Sequence, residues 1–567
     1  MTTPTAAAPN RSRFDWKGLG WLFAFFWYFS GITQALILAN GTTGFEGLRE
    51  ATLLTSLWLI PVLLFPARTR LIAGVIGIVL FLCSLLSLGY FLIYQQEFSQ
   101  SVIFVLFESN NAEAGEYLSQ YFHWWMVLAF LAYAVGALLL WTRVRPVYLS
   151  ASKATIVALA LLIGFVGLPL YKQVQRTGSF DSGLEKFESR VEPAVPWQLL
   201  IGYQNYRQQL DGMQAMLDAA AKVPPLTNLK DSTAGLPATL VLVIGESTNR
   251  GHMSLYGYPR DTNPNLDKMR DQLTVFNNVV SPRPYTIESL QQVLTFADEE
   301  HPDRFLETPS IMNVMKQAGY KTYWITNQQT LTKRNTMLTT FSQQTDEQTY
   351  LNNNRNQNAA QYDGDVLEPF AKVLADPAPR KFIVLHLLGT HVNYDYRYPP
   401  EFAKFTGSDG TPPGLDAERL ATYNSYDNAV LYNDFVISSI IKEFSATDPN
   451  GFLLYFSDHG EDVYNSGDHT TLGRNEGRPT APMYTIPFLT WASPKWRSTH
   501  DWNFAADVNR PYSTASLIHT WSDMAGLTFD EHDVSKSLVS PYFTPHTRWI
   551  GDPYKTKGLI DFDSIPK

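Results

Sequence analysis

At 567 residues the chain is too long for one ordinary hydrophobic core and long enough for two or more domains. Apolar residues make up 45% and charged residues 17%, with 34 Phe, 29 Tyr and 14 Trp, which excludes a disordered chain; no short period marks a fibre or repeat array. A formal charge of -9 with no basic tract or nucleic-acid motif argues against a DNA or RNA partner, and the single cysteine, Cys83, excludes an intramolecular disulfide and a cysteine metal site.

Residues 1–175 contain five nearly uncharged apolar runs, at 19–40, 51–65, 71–94, 123–142 and 154–171, that qualify as membrane spans. The second is the shortest and contains Pro61. No small-residue cleavage site follows the first run and four more runs do, so it reads as a retained helix rather than a signal peptide. Arg11, Arg13 and Lys17 precede span one, Arg68 and Arg70 separate spans two and three, and Arg143, Arg145 and Lys153 separate spans four and five. The opposite loops, 41–50 and 97–116, carry acids. The positive-inside rule therefore places the N-terminus in the cytoplasm, and an odd number of spans places everything after Tyr171 outside.

From 196 to 221 the residues Trp197, Leu199, Leu200, Tyr203, Tyr206 and Leu210 alternate with polar ones. The pattern fits an amphipathic helix on the outer bilayer face, or equally a helix packed on the following domain. Pro224 and Pro225 then interrupt the chain. The expected organisation is a transmembrane domain at 1–175, a juxtamembrane linker with this helix at 176–236, and an extracytoplasmic α/β domain at 237–567.

Within that last part, apolar runs at 239–244, 322–326, 382–388, 452–456 and 486–491 read as strands of a mostly parallel sheet, with helices at 311–318 and 423–444. Working residues of such sheets collect beyond the carboxyl ends of the strands. Beyond Ile244 stand Gly245, Glu246 and Ser247. Beyond Leu388 stand Gly389, Thr390 and His391. Beyond Phe456 stand Ser457, Asp458, His459, Gly460 and Glu461. An oxygen and nitrogen set without sulfur suits zinc or manganese. One strand-end Asp is commonly only a helix cap, but a second acid directly after another strand favours a metal. A cation beside a hydroxyl lowers its pKa, as it does for water, so a Thr or Ser held there becomes a nucleophile toward phosphorus. Thr286 ends the segment Ser281-Pro-Arg-Pro-Tyr-Thr and stands where a helix should start, at the end that favours phosphate; an ordinary N-cap reads the same. His386 lies inside a strand run and reads as a satisfied core residue.

Five spans followed by LVLVIGEST (240–248), MSLYGYPRDTNPNLD (253–267), SPRPYTIESLQQ (281–292), VLHLLGTH (384–391) and YFSDHGE (455–461) resemble the membrane phosphoethanolamine transferases that decorate lipopolysaccharide, in order and over essentially the whole chain. The likeness is strongest to the enterobacterial branch acting on inner-core heptose, which carries RPYTIE. The Cys-Gly-Thr segment and disulfides typical of lipid A transferases have no counterpart here.

The resemblance implies an inner-membrane protein of five transmembrane helices plus a periplasmic α/β domain of alkaline-phosphatase/sulfatase-like type. Phosphatidylethanolamine is then the donor and lipopolysaccharide the acceptor, through a covalent phospho-threonine. By motif, Glu246, Thr286, Asp458 and His459 would bind zinc, with Thr286 the nucleophile. His391 and His469 match histidines used for substrate phosphate or a second zinc. Ser109 and Glu113 match positions that meet the ethanolamine-phosphate head, although Val105 replaces the Asn often found four residues before that Ser. Arg283 and the Lys333-Arg334 pair would neutralise phosphate, or else are surface charges. Competing readings are a lipid A transferase, a membrane-anchored phosphatase or sulfatase, a phosphoglycerol transferase, and a scaffold without turnover. A formylglycine-type sulfatase is excluded by Thr at 286.

Overall fold

The computed structural model describes residues 14–40, 45–94, 123–218, 225–328, 337–351, 362–467, 469–555 and 558–565. The described residues form two compact units, one ending at Asn205 and one beginning at Tyr206.

In the first unit five helices are long and apolar enough to cross a membrane: Trp16–Ala39, Glu46–Leu64, Pro66–Ile93, Trp124–Arg143 and Ala151–Arg176. The second begins earlier than its apolar run suggests. Glu46–Thr55 is α-helix (α1), followed by a 3₁₀ turn at Ser56–Trp58 and a second α-segment at Leu59–Leu64. Glu50 is tolerated in it because its carboxylate lies 2.9 Å from both Arg49 Nη2 and Arg190 Nε. Arg190 belongs to the helix Phe180–Val191. The fifth helix contains a π-turn, Ile163–Gly167, between Ala151–Leu162 and Leu168–Thr177. Pro169 lacks the N–H that would bond the Phe165 carbonyl four residues back, and the wider turn accommodates the mismatch. Leu22, Phe25, Phe26 and Phe29 are buried among the other helices. Trp197, at the start of helix Trp197–Asp218, stacks on Trp58 at 6.4 Å.

The second unit is built on a seven-stranded sheet: β1 (Ala238–Gly245), β2 (Leu273–Val275), β3 (Lys321–Thr326), β4 (Glu347–Tyr350), β5 (Arg380–His386), β6 (Gly451–Ser457) and β7 (Phe488–Ala492), in spatial order β2-β7-β6-β1-β5-β3-β4. Strands β6, β1, β5, β3 and β4 are parallel, whereas β7 runs antiparallel to both β6 and β2. The three central strands are buried almost throughout, as expected for a parallel sheet covered on both faces.

Register brings the strand ends to one level. Gly245 pairs with Ser457 and Ile244 with His386, so the segments after β1, β6 and β5 leave the sheet side by side. The 30-residue helix α2 (Ala417–Ala446) packs on one face, and its Asp434 accepts from the backbone N–H groups of Asn265 and Leu266. Its Asp427 lies 2.6 Å from His252 Nδ1 and 2.7 Å from Arg260 Nη1. The 253–267 motif therefore clamps the chain beyond β1 onto α2.

Candidate metal centre

Glu246 leaves β1 and Asp458 and His459 leave β6; the three are buried, and one ligand atom from each lies within 4.8 Å of the others. Thr286 is the first residue of helix α3 (Thr286–Val293), with Tyr285 as the N-cap. Its hydroxyl caps nothing. It donates to Glu246 Oε2 at 2.8 Å and lies 3.3 Å from His459 Nε2. Ser289, one turn on, donates to the Asp458 carbonyl at 2.6 Å and pins the helix against the end of β6.

The His459 tautomer follows from its neighbours. Nδ1 lies 2.9 Å from the Gly460 carbonyl, and Nε2 lies 2.7 Å from Arg474 Nη1, which can only donate. The ring proton therefore sits on Nδ1, and the Nε2 lone pair faces the cluster. A backbone carbonyl on the far nitrogen is the usual way to orient a ligating imidazole.

The carboxylates have opposite environments. Burial raises both, but the His459 imidazole, with the Arg474 guanidinium behind it, holds Glu246 well below the usual carboxylate range. Burial and the nearby Glu246 charge push Asp458 well above it. Asp458 Oδ1 accepts from the backbone N–H groups of Ser247 and His459, at 3.2 and 2.8 Å. Its Oδ2 is buried with no hydrogen-bond partner. An orphaned carboxylate oxygen beside a second carboxylate and an imidazole lone pair is the donor set a divalent cation satisfies, so these residues fit zinc.

The shape depends on close backbone approach. Gly389, beyond β5, has φ +56°, and a Cβ there would lie 2.6 Å from the Glu246 carbonyl oxygen. Buried Asp363 holds this loop by accepting from the Leu388 and Gly389 N–H groups at 2.9 and 2.7 Å. Ser247 itself takes φ +58°, and its carbonyl accepts from the Tyr426 hydroxyl at 2.7 Å.

His391 is half-buried, with its Nδ1 buried and unpartnered, and burial pushes its imidazole down to about 3, so it is neutral. His469 is not one of the residues within that 4.8 Å cluster, and its Nδ1 donates to the Tyr464 carbonyl at 2.8 Å. His386 is fully buried, as expected of a core residue, but neither ring nitrogen is satisfied; the ring meets Trp324 edge-on at 5.8 Å. Arg283 is not a surface charge. It is buried, with Nε 2.6 Å from Glu476 and Nη2 3.8 Å from Asp552. Ser109, Glu113, Lys333 and Arg334 lie outside the described residues.

Three further residues take part; Glu461 stands among the strand-end residues read from the sequence, and Gln328 and Arg474 do not. Gln328 Nε2 donates to Glu246 Oε2 at 3.1 Å. Arg474 Nη1 lies 3.6 Å from Glu246 Oε1, with its guanidinium 6.0 Å from the Tyr285 ring. Buried Glu461, pushed up to about 7 by burial, helps to hold the charge on Arg474. Glu461 stands two residues after His459, whereas Arg474 follows only the two-residue strand Leu472–Gly473, which no apolar run marks.

The sulfatase family model matches residues 238–527, about half of the chain. Phosphoethanolamine transferase EptC of Escherichia coli (strain K12) is 57% identical over 558 residues, covering 98% of this chain and 97% of that protein. The crystal structure of the C-terminal periplasmic domain of E. coli EptC in complex with Zn is 62% identical, with a TM-score of 0.60, over 61% of this chain and 98% of that one. The integral membrane lipooligosaccharide phosphoethanolamine transferase A of Neisseria meningitidis, 18% identical, shares the fold with a TM-score of 0.63 over 91% of this chain and 98% of its own. A chain that matches one relative at this identity almost end to end, and carries the sulfatase domain after five apolar helices, belongs to the phosphoethanolamine transferases of the sulfatase family.

Proposed function

We propose that the protein is a bacterial inner-membrane enzyme that transfers phosphoethanolamine to lipopolysaccharide at a periplasmic zinc centre. In this reading phosphatidylethanolamine is the donor and inner-core heptose the acceptor. Residues 1–175 anchor the chain, 176–236 link, and 237–567 carry the chemistry. The observation that carries it is the position of Thr286: a hydroxyl at a helix N-terminus, 2.8 Å from Glu246 Oε2 and 3.3 Å from His459 Nε2.

Glu246, Thr286, Asp458 and His459 would hold the zinc. When bound, zinc supplies positive charge that favours the ionised hydroxyl and offsets charge on the phosphoryl group. The Thr286 proton points at Glu246 Oε2, which leaves the oxygen lone pairs to face the substrate. The bond from Thr286 Oγ1 to phosphorus forms as the bond to diacylglycerol oxygen breaks, and the proton that Thr286 gives up towards Glu246 Oε2 leaves on the diacylglycerol hydroxyl. The N–H groups at the start of α3 and the Arg474 guanidinium receive the negative phosphoryl oxygens. His391 and His469 serve the substrate phosphate, and Ser109 with Glu113 receives the ethanolamine head. An acceptor hydroxyl then reverses the attack and frees Thr286.

Intact-mass measurement after incubation with phosphatidylethanolamine tests this. The expected result is one phosphoethanolamine added to the wild-type protein and none to Thr286→Ala. Free phosphoethanolamine with no adduct and no acceptor product would instead identify a hydrolase. Mass spectra of lipopolysaccharide from a deletion strain separate the acceptors: a group missing from core fragments supports heptose, and one missing from lipid A reverses that assignment.

A further inference from the structure

The first unit contains a cavity of about 250 Å³ between α1, the end of the fifth apolar helix and helix Phe180–Val191. That is far above the roughly 10–15 Å³ that admits a single water. Its walls differ in kind. Leu53, Leu54, Phe165 and Leu168 form an apolar side, and Glu50, Lys172 and Arg190 form a charged one. The start of the second span and the end of the fifth both lie on the outer side of the membrane, given the cytoplasmic N-terminus.

Ionisable residues in a span are costly and mark functional sites. Glu50 is 4% exposed, with its Oε1 already 2.9 Å from both Arg49 and Arg190. Of the residues that line the cavity, Lys172 and Arg190 are cations and Glu50 is the carboxylate, so this lining carries an excess of one positive charge. The apolar wall runs into the bilayer-facing side of the fifth helix, where Ile163 and Leu168 are 56% and 51% exposed. The π-turn Ile163–Gly167 lies along this wall, and such turns recur at functional sites. Gly164 lines the cavity, and a Cβ built there meets nothing within 4 Å.

We infer that this cavity binds a glycerophospholipid of the outer leaflet, its phosphodiester against Lys172 and Arg190 and an acyl chain along Phe165 and Leu168. A single negative phosphodiester matches the excess charge, and an acyl chain matches a wall open to the bilayer. The site lies wholly within the membrane unit, and the inference does not rest on the reaction proposed above.

The test uses the full-length protein in detergent with phosphatidylethanolamine and phosphatidylglycerol that carry a photoreactive acyl chain, the adducts being mapped by peptide mass spectrometry. Both lipids are expected to label residues near 53–54 and 164–169. Diacylglycerol with the same chain should label there about fivefold less, for want of the phosphate contact. Gly164→Trp should fill the cavity and abolish this labelling, while labelling of the exposed face of Trp124–Arg143 stays constant. Lys172→Gln, at an exposed position where folding is not at stake, should weaken it about fivefold. Equal labelling by diacylglycerol, full competition by millimolar inorganic phosphate, or wild-type labelling of both variants would overturn the inference.

Discussion

Arg474 donates a hydrogen bond to His459 Nε2 at 2.7 Å, through the lone pair that a metal ion would need. One lone pair cannot serve both, so cation binding must displace the guanidinium, and buried Glu461 is the charge that stabilises it most. Arg474→Gln removes the competitor and a repelling charge. Zinc should bind about tenfold tighter to this variant, as loss of one charge-assisted hydrogen bond implies, while phosphoryl transfer slows. Chelator competition measures the first effect and turnover the second; unchanged zinc affinity would show that the guanidinium does not compete.

Asp458 carries the unpartnered Oδ2 and has the more strongly opposed charge of the two carboxylates. Asp458→Asn should therefore leave the metal-free fold nearly as stable, because it removes a charge that burial resists. It should lower zinc affinity by about 100-fold or more. Melting temperatures with and without excess zinc check both halves, since a ligand stabilises only the state that binds it.

Arg283 balances buried acids that sit 193 and 269 positions away in sequence. Glu288, whose Oε1 has no partner, is pushed up to about 7 by burial against the pull of this arginine. Arg283→Met should cost about 3–5 kcal/mol, because it strands the acids without their cation. Combining it with Glu476→Gln should recover part of the loss. Thermal unfolding of the two variants decides, and equal melting of both would place Glu476 outside the effect.

His519 is held neutral by burial, which lowers its pKa from 6.5 to about 3, and its Nδ1 accepts from the Asp533 N–H at 3.2 Å. Between those values the unfolded chain binds a proton that the folded chain refuses. Stability is therefore complete above pH 6.5 and falls as the pH drops towards 3, by about 1.4 kcal/mol per unit from this group. His519→Asn keeps an acceptor and cannot titrate. Its melting temperature should decline less between pH 7 and pH 5 than that of the wild type.

Much of this architecture was legible before folding was considered, because the signals are local. A run of apolar residues long enough to cross hydrocarbon identifies a span wherever it packs. Buried parallel strands declare themselves by continuous Val, Ile, Leu and Phe, and the residues that follow them, Glu246, Thr390 with His391, and Asp458 with His459, reach the working edge by chain continuity alone. Edge strands β2 and β4 escaped notice because they are short and only partly buried, with no apolar run to mark them. The antiparallel direction of β7 was equally invisible, since direction is a property of the path between strands.

The primary structure by itself determined which residue types were available at each strand end, and hence the chemistry the centre can hold. Only the tertiary structure decided that Gly245 and Ser457 share a register, that Arg474 reaches His459 from a loop, and that Arg283 turns inward to Glu476. Hydrophobic pattern acts over a few residues. The pairing of charges depends on which distant segments desolvate one another, and that is settled when the core closes.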